Sequence, residues 1–144
     1  MRVDIQVELR SDPKLLRAVR GLIRSYFIQS GFCEDKSDEV VLAVDEACTN
    51  AIRHAYEGRK DDILLITLRS NSACVEVEVR DAGLPAPPEH LVRKELKTPS
   101  LDDLKPHGLG VQLIYEVFDQ VAFWPGEEEG NCVTMRLNQP EPKE

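Results

Sequence analysis

The order of periodicities along this chain predicts a two-layer α+β sandwich, with a mixed, mostly antiparallel sheet and its helices on one face. Three observations carry the prediction. A strand-like alternation opens the chain, two helical patterns follow before the next strands, and the later strand-like runs come in adjacent pairs that can close as hairpins. With 144 residues, 42% apolar and 31% charged, the chain has the size and composition of one globular domain with a sizeable core.

Residues 3–9 alternate, Val3, Ile5, Val7 and Leu9 apolar against Asp4, Gln6 and Glu8, which is the period of a half-buried strand. Ser11 and Asp12 then offer N-caps and Pro13 suits a first helical turn. Leu15, Leu16, Val19, Leu22, Ile23 and Phe27 recur at helical spacing until Gly31. Asp35 or Ser37 caps a second helix reaching about Tyr56, with Gly58 as its stop and Val40, Val44, Ala47, Ala51 and Ala55 as its core stripe. The runs 63–69 and 73–80, joined by Ser70-Asn71-Ser72, form a hairpin. Its Val75, Val77 and Val79 alternate with Glu76, Glu78 and Arg80, so one face is expected to be solvated.

From Gly83 to His107 the composition changes: Pro85, Pro87, Pro88, Pro99 and Pro106 punctuate a charged stretch with a short helical patch near Glu89–Leu96. A stretch of that length between regular elements is usually functional or mobile, and 84–107 is read as a lid. After Gly108 a helix resumes through Val111, Leu113, Ile114, Val117 and Phe118. Strands at 120–124 and 132–137 follow across a Gly/Glu turn. The chain is therefore expected to be one domain over 1–138, with a disordered tail at 139–144.

A formal charge of −8 gives a field that repels nucleic acid and anionic membrane surfaces, so a protein partner is expected rather than either. No apolar run reaches the length of a membrane span and Met1-Arg2-Val3-Asp4 lacks the apolar core of a signal peptide, which points to the cytoplasm. Cys33, Cys48, Cys74 and Cys132 show no metal-ligand spacing. In a reducing compartment they read as small buried hydrophobes.

Three short motifs carry the chemistry. Glu46 and Asn50 lie one turn apart on the second helix and share a face; Asp81-Ala82-Gly83 ends a valine-rich strand; Gly108-Leu109-Gly110 opens a helix after the lid. Taken singly, each also fits a structural role: a solvated helix face, a turn leaving a strand, a hinge. In this order they resemble the nucleotide site of the ATPase superfamily shared by gyrase, histidine kinases and the mismatch-repair ATPases. The resemblance implies the histidine-kinase-like ATPase fold and binding of ATP with Mg²⁺.

On that reading Asn50 supplies a hard, neutral oxygen ligand to Mg²⁺. Glu46, within reach of the same space, is the candidate base that orients or deprotonates an attacking hydroxyl. A buried Asp81 accepts from the exocyclic amine of adenine, where guanine would present a carbonyl, and Gly83 shapes the pocket. The backbone N–H groups of Gly108, Leu109 and Gly110 at a helix N-terminus suit phosphates, with Lys105 and His107 adding positive charge.

The segments Asp45-Glu46-Ala47-Cys48-Thr49-Asn50-Ala51-Ile52-Arg53-His54-Ala55-Tyr56 and His107-Gly108-Leu109-Gly110-Val111-Gln112-Leu113-Ile114 narrow the likeness. They are similar to those of the bacterial anti-sigma factor serine/threonine protein kinases, and the similarity covers nearly the whole chain. It implies a kinase that sequesters a sigma factor and phosphorylates a serine or threonine of an anti-sigma-factor antagonist, and it makes a homodimer an expectation. The chain departs from the family pattern at Leu84-Pro85-Ala86-Pro87-Pro88 and at Gly130-Asn131, where relatives offer Gly-Thr. A non-catalytic module that sequesters a partner, with ATP as a structural ligand or without it, is the alternative. His54 shares the helix of the metal ligand and is read as a structural or site-edge residue rather than a phosphoacceptor.

Overall fold

The computed structural model describes residues 1–52, 63–81, 109–124 and 132–140. Five strands, β1 (Arg2–Arg10), β2 (Ile63–Ser70), β3 (Cys74–Asp81), β4 (Gln120–Trp124) and β5 (Cys132–Asn138), form one sheet in the order β1-β2-β3-β5-β4. Every pairing among the described residues is antiparallel. Three α-helices, α1 (Leu16–Gln29), α2 (Glu34–Asn50) and α3 (Leu109–Val117), and a 3-10 turn at Pro13–Leu15 complete the described elements. None of them is long and apolar enough to cross a membrane.

Cross-strand partners share a face. The ladders therefore put Leu64, Ile66, Leu68, Val75, Val77, Val79, Val133, Met135 and Leu137 on one side of the sheet, all buried in the core with α1 and α2. Within α1, Leu16, Val19, Ile23 and Phe27 recur at helical spacing and are buried, each contributing about 1.5–3 kcal/mol of apolar burial. The Phe27 ring meets Tyr26 edge-on at 5.8 Å and Phe32 at 5.3 Å. Asp12 caps the 3-10 turn Pro13–Leu15 ahead of α1 by accepting from the Lys14 N–H. The turn after α1 uses Gly31 at φ +103, a conformation that favours glycine.

Several expectations change. The N-cap of α2 is Cys33, whose Sγ accepts from the Lys36 N–H at 3.4 Å, not Asp35 or Ser37. Glu34 and Asp35 thereby occupy the first turn, where the helix dipole favours negative charge. Ser37 instead turns inward, fully buried with its hydroxyl unpartnered. The core stripe of α2 is broader than Val40, Val44 and Ala47, because Ala43 and Cys48 are buried too. Its expected continuation runs on through Ala51 and Ile52, and beyond Ile52, Ala55 and Tyr56 included, it lies outside the described residues.

The cysteines do not share one environment. Cys48 and Cys132 are buried, Cys74 is half-buried, and Cys33 is exposed because it stands at the mouth of a helix. The outer face of the β2–β3 hairpin is not simply solvated: Glu76 is 5% and Thr67 1% exposed. Glu76 accepts from Arg69 Nη1 at 2.9 Å and from Arg136 Nε at 2.8 Å, tying β2, β3 and β5 together on that side. In β1 a bulge between Val3 and Ile5 frees Asp4 from the ladder. Its carboxylate accepts from Tyr26 Oη at 2.7 Å and Ser70 Oγ at 2.6 Å. Gln139, assigned by sequence to a tail, is held by the Ala73 carbonyl at 2.9 Å and the Asn71 carbonyl at 3.0 Å. The expected lid, 84–107, lies outside the described residues.

Candidate functional site

The second helix supplies the first two positions of the site. Glu46 and Asn50 are half-buried on α2, beside the buried stripe that includes Ala43 and Ala47. The two neighbouring acids, Asp45 and Glu46, have different fates. Asp45 accepts a bidentate pair from Arg20 of α1, Nε at 2.8 Å and Nη2 at 3.2 Å, so its carboxylate is engaged in joining two helices. Neither the Glu46 nor the Asn50 side chain makes a hydrogen bond or ion pair with another described residue. Immediately beyond Asn50, at Ala51 and Ile52, the winding loosens to the π form, a local widening that often accompanies functional sites.

The third position closes a row of valines. Val75, Val77 and Val79 face the helices from β3, and Asp81 follows them on the same face, opposite Leu64, at 6% exposure. An acid that ends an apolar row is costly to desolvate without polar partners, and Asp81 does have polar interactions. α2 packs against both β3, which Asp81 ends, and α3.

The orientation of α3 brings the last element in. α2 and α3 pack together, and Lys36 in the first turn of α2 donates its Nζ to the carbonyl oxygen of Val117, the last residue of α3, at 2.9 Å. The start of one helix thus meets the end of the other, which makes them antiparallel. At 1.5 Å per residue the nine residues of α3 span about 13 Å, reaching back along α2 to about the level of Asp45 and Glu46. The first turn of α3, with Leu109 and Gly110, therefore opens near the half of α2 that carries Glu46 and Asn50. Its leading N–H groups have no partners within the helix and stand at the positive end of the helix dipole. Gly83, Lys105, His107 and Gly108 lie outside the described residues.

The donor set fits Mg²⁺ held together with a phosphate substrate. Among the described residues no three His, Cys, Asp or Glu side chains gather into a metal cage. Mg²⁺ does not need one, because it is commonly held by one or two protein oxygens while phosphates and water complete its shell. Asn50, a carboxamide without a described partner, suits that role. The nearby Cys48 does not compete as a nucleophile, since burial pushes its thiol up to about 12.

Lys36 had no sequence signal. Its partner carbonyl lies 81 residues away, and nothing in a lysine within an acidic first turn of a helix points to it.

Comparison with known proteins bears on the whole arrangement. The serine-protein kinase RsbW of Bacillus licheniformis is 27% identical over 129 residues, covering 81% of this chain and 75% of that protein. RsbW of Listeria innocua is 25% identical over 149 residues, covering 100% and 94%. Among solved structures, that of the RsbU and RsbW domains of Rv1364c from Mycobacterium tuberculosis superposes with a TM-score of 0.65 at 16% identity. It matches 94% of this chain, which spans 33% of that longer one, and the likeness is one of fold. The model of the histidine kinase-like ATPase domain matches residues 9–137, from the end of β1 to the penultimate residue of β5. An antiparallel sheet under a helical layer, an acid closing β3 and a carboxylate–carboxamide pair on α2 thus occur inside one continuous family match, and the chain belongs to the histidine kinase-like ATPase domain family.

Proposed function

We propose that this chain is an ATP- and Mg²⁺-dependent protein serine/threonine kinase that acts as an anti-sigma factor, sequestering a sigma factor and phosphorylating an anti-sigma-factor antagonist. The observation that carries the reading is the pair on α2. Asp45 is engaged by Arg20, whereas Glu46 and Asn50 remain half-buried, one turn apart and without described partners, near the first turn of α3. The names of the RsbW relatives, serine-protein kinases, support the activity.

Each group has a task. Asp81 accepts from the adenine amine and selects ATP over GTP. The first turn of α3, with Gly108, Leu109 and Gly110, donates N–H groups to phosphate oxygens, and Lys105 and His107 add positive charge. Asn50 holds Mg²⁺, which neutralises phosphate charge when bound. Glu46 accepts the proton of the acceptor Ser or Thr hydroxyl as its oxygen bonds to the γ-phosphorus and the bond to the β,γ-bridging oxygen breaks. ADP and the phosphoprotein leave. The work is mainly positioning and electrostatics, so loss of Asn50 removes function while sparing the fold.

Calorimetric titration with ATP and GTP, with and without Mg²⁺, tests the site. The expected result is Mg²⁺-dependent binding that prefers ATP and is lost in Asn50→Ala, whose melting temperature stays within a few degrees of the parent. Incorporation of γ-phosphate into a serine or threonine of a copurifying antagonist tests the chemistry. An Asn50→Ala variant that transfers phosphate at the parental rate refutes the assignment. Stable partner capture without any transfer replaces the kinase with a sequestering module.

A further inference from the structure

The far end of α3 is held at several points. Its last carbonyls have no partners within the helix, and the Val117 oxygen receives the Lys36 ammonium at 2.9 Å. Two residues on, the Asp119 N–H bonds the Arg136 carbonyl at 2.9 Å and the Asp119 carboxylate accepts the Asn138 N–H at 2.8 Å, both on β5. Asp119 thus ties the helix end to the sheet. Lys36 ties it to α2, the helix that carries Glu46 and Asn50. An ammonium on the C-terminal carbonyl of a helix is also favoured by the helix dipole, and Val117 itself is 5% exposed, so the bond is partly shielded from water.

We propose that Lys36 is a positioning residue: by clamping the C-terminal end of α3 to the first turn of α2, it holds the opposite end of α3 in register with Asn50 for nucleotide phosphates. The inference rests on reading the first turn of α3 as the phosphate site. Without Lys36 the end of α3 stays tied to β5 through Asp119 but loses its bond to α2, so the helix can tilt against α2, and only the fraction of molecules in the aligned arrangement then binds nucleotide at full strength. Bound phosphate restores the alignment by itself. Loss of the clamp therefore raises KM and Kd for nucleotide and leaves kcat near its parental value.

The test compares the parent, Lys36→Met and Lys36→Arg in calorimetric titrations with ADP and with ATP plus Mg²⁺, alongside hydrogen exchange of the α3 amides without nucleotide. The Lys36 side chain is 32% exposed at the start of a helix, so these variants keep the core intact. Lys36→Met is expected to raise Kd roughly fivefold, about 1 kcal/mol at 1.4 kcal/mol per decade, and to speed exchange along the first half of α3. Lys36→Arg, which keeps a charged donor, is expected to bind close to the parent. Parental binding with an unchanged Kd in Lys36→Met overturns the clamp alone, whatever happens to its melting temperature. Absence of nucleotide binding by the parent overturns the phosphate reading of α3, and the clamp with it.

Discussion

Replacing Glu76 by glutamine is the most informative test of the sheet. The residue is 5% exposed and receives Arg69 Nη1 at 2.9 Å and Arg136 Nε at 2.8 Å, with Arg69 also reaching Glu78 at 3.4 Å. The glutamine keeps the shape, removes the charge and turns an amide donor toward two guanidinium groups. Hydrogen bonds to charged groups contribute about 1.5–3 kcal/mol each. The arginines are 23% and 35% exposed and recover part of that loss from water. The net cost is expected to be about 2 kcal/mol, against about 0.2–1 kcal/mol for an exposed pair. In urea this shifts the midpoint down by about 1 M with an unchanged slope, taking a slope near 2 kcal/mol/M. A cycle with Arg136→Met should return a coupling of about 1 kcal/mol or more. A loss below about 0.5 kcal/mol would mean that the cluster is screened by solvent, as strand alternation alone suggests, and that its burial confers nothing.

Two further outcomes follow from the backbone and the thiols. Gly31→Ala is expected to cost about 1–2 kcal/mol, read as a fall of several degrees in melting temperature, because of the positive φ rather than a clash. The added Cβ meets only Pro140 Cγ at 3.4 Å, so an unchanged melting temperature would refute the strain. Among the cysteines, Cys33 is expected to react with an aromatic disulfide reagent in the folded state, while Cys48 and Cys132 react only after unfolding. Burial raises both inner thiols from about 9 to about 12, so the native state keeps protons that the unfolded chain releases. The contribution of these two thiols to stability is therefore expected to be full below about pH 9 and to be lost as pH rises from there toward 12. A double Cys48→Ala, Cys132→Ala variant whose urea midpoint declines as steeply would exclude the thiols as the cause.

The amino-acid sequence by itself determined most of the elements and singled out the candidate site residues. Alternation in 3–9 and 73–80 marks strands, and helical recurrence from Leu16 to Phe27 marks a helix, because burying one face of a regular element leaves a period in the residues. Glu46 and Asn50 were legible as a pair because an interval of four residues is one helical turn, and Asp81 because an acid ends a row of valines. Tertiary structure alone decided what depends on partners distant in the chain. The pairing of Arg20 with Asp45, which distinguishes Asp45 from Glu46, spans 25 residues, the ion cluster between Glu76 and Arg136 spans 60, and the grip of Lys36 on Val117 spans 81. The structure also reversed the expectation that Cys33 is buried and Asp35 or Ser37 caps α2, since the start of α2 depends on how the preceding turn at Gly31 delivers the chain. A local period records which face of an element is buried; it holds no record of what that face meets, because contacts between elements are set by the packing of the whole sheet and helix layer.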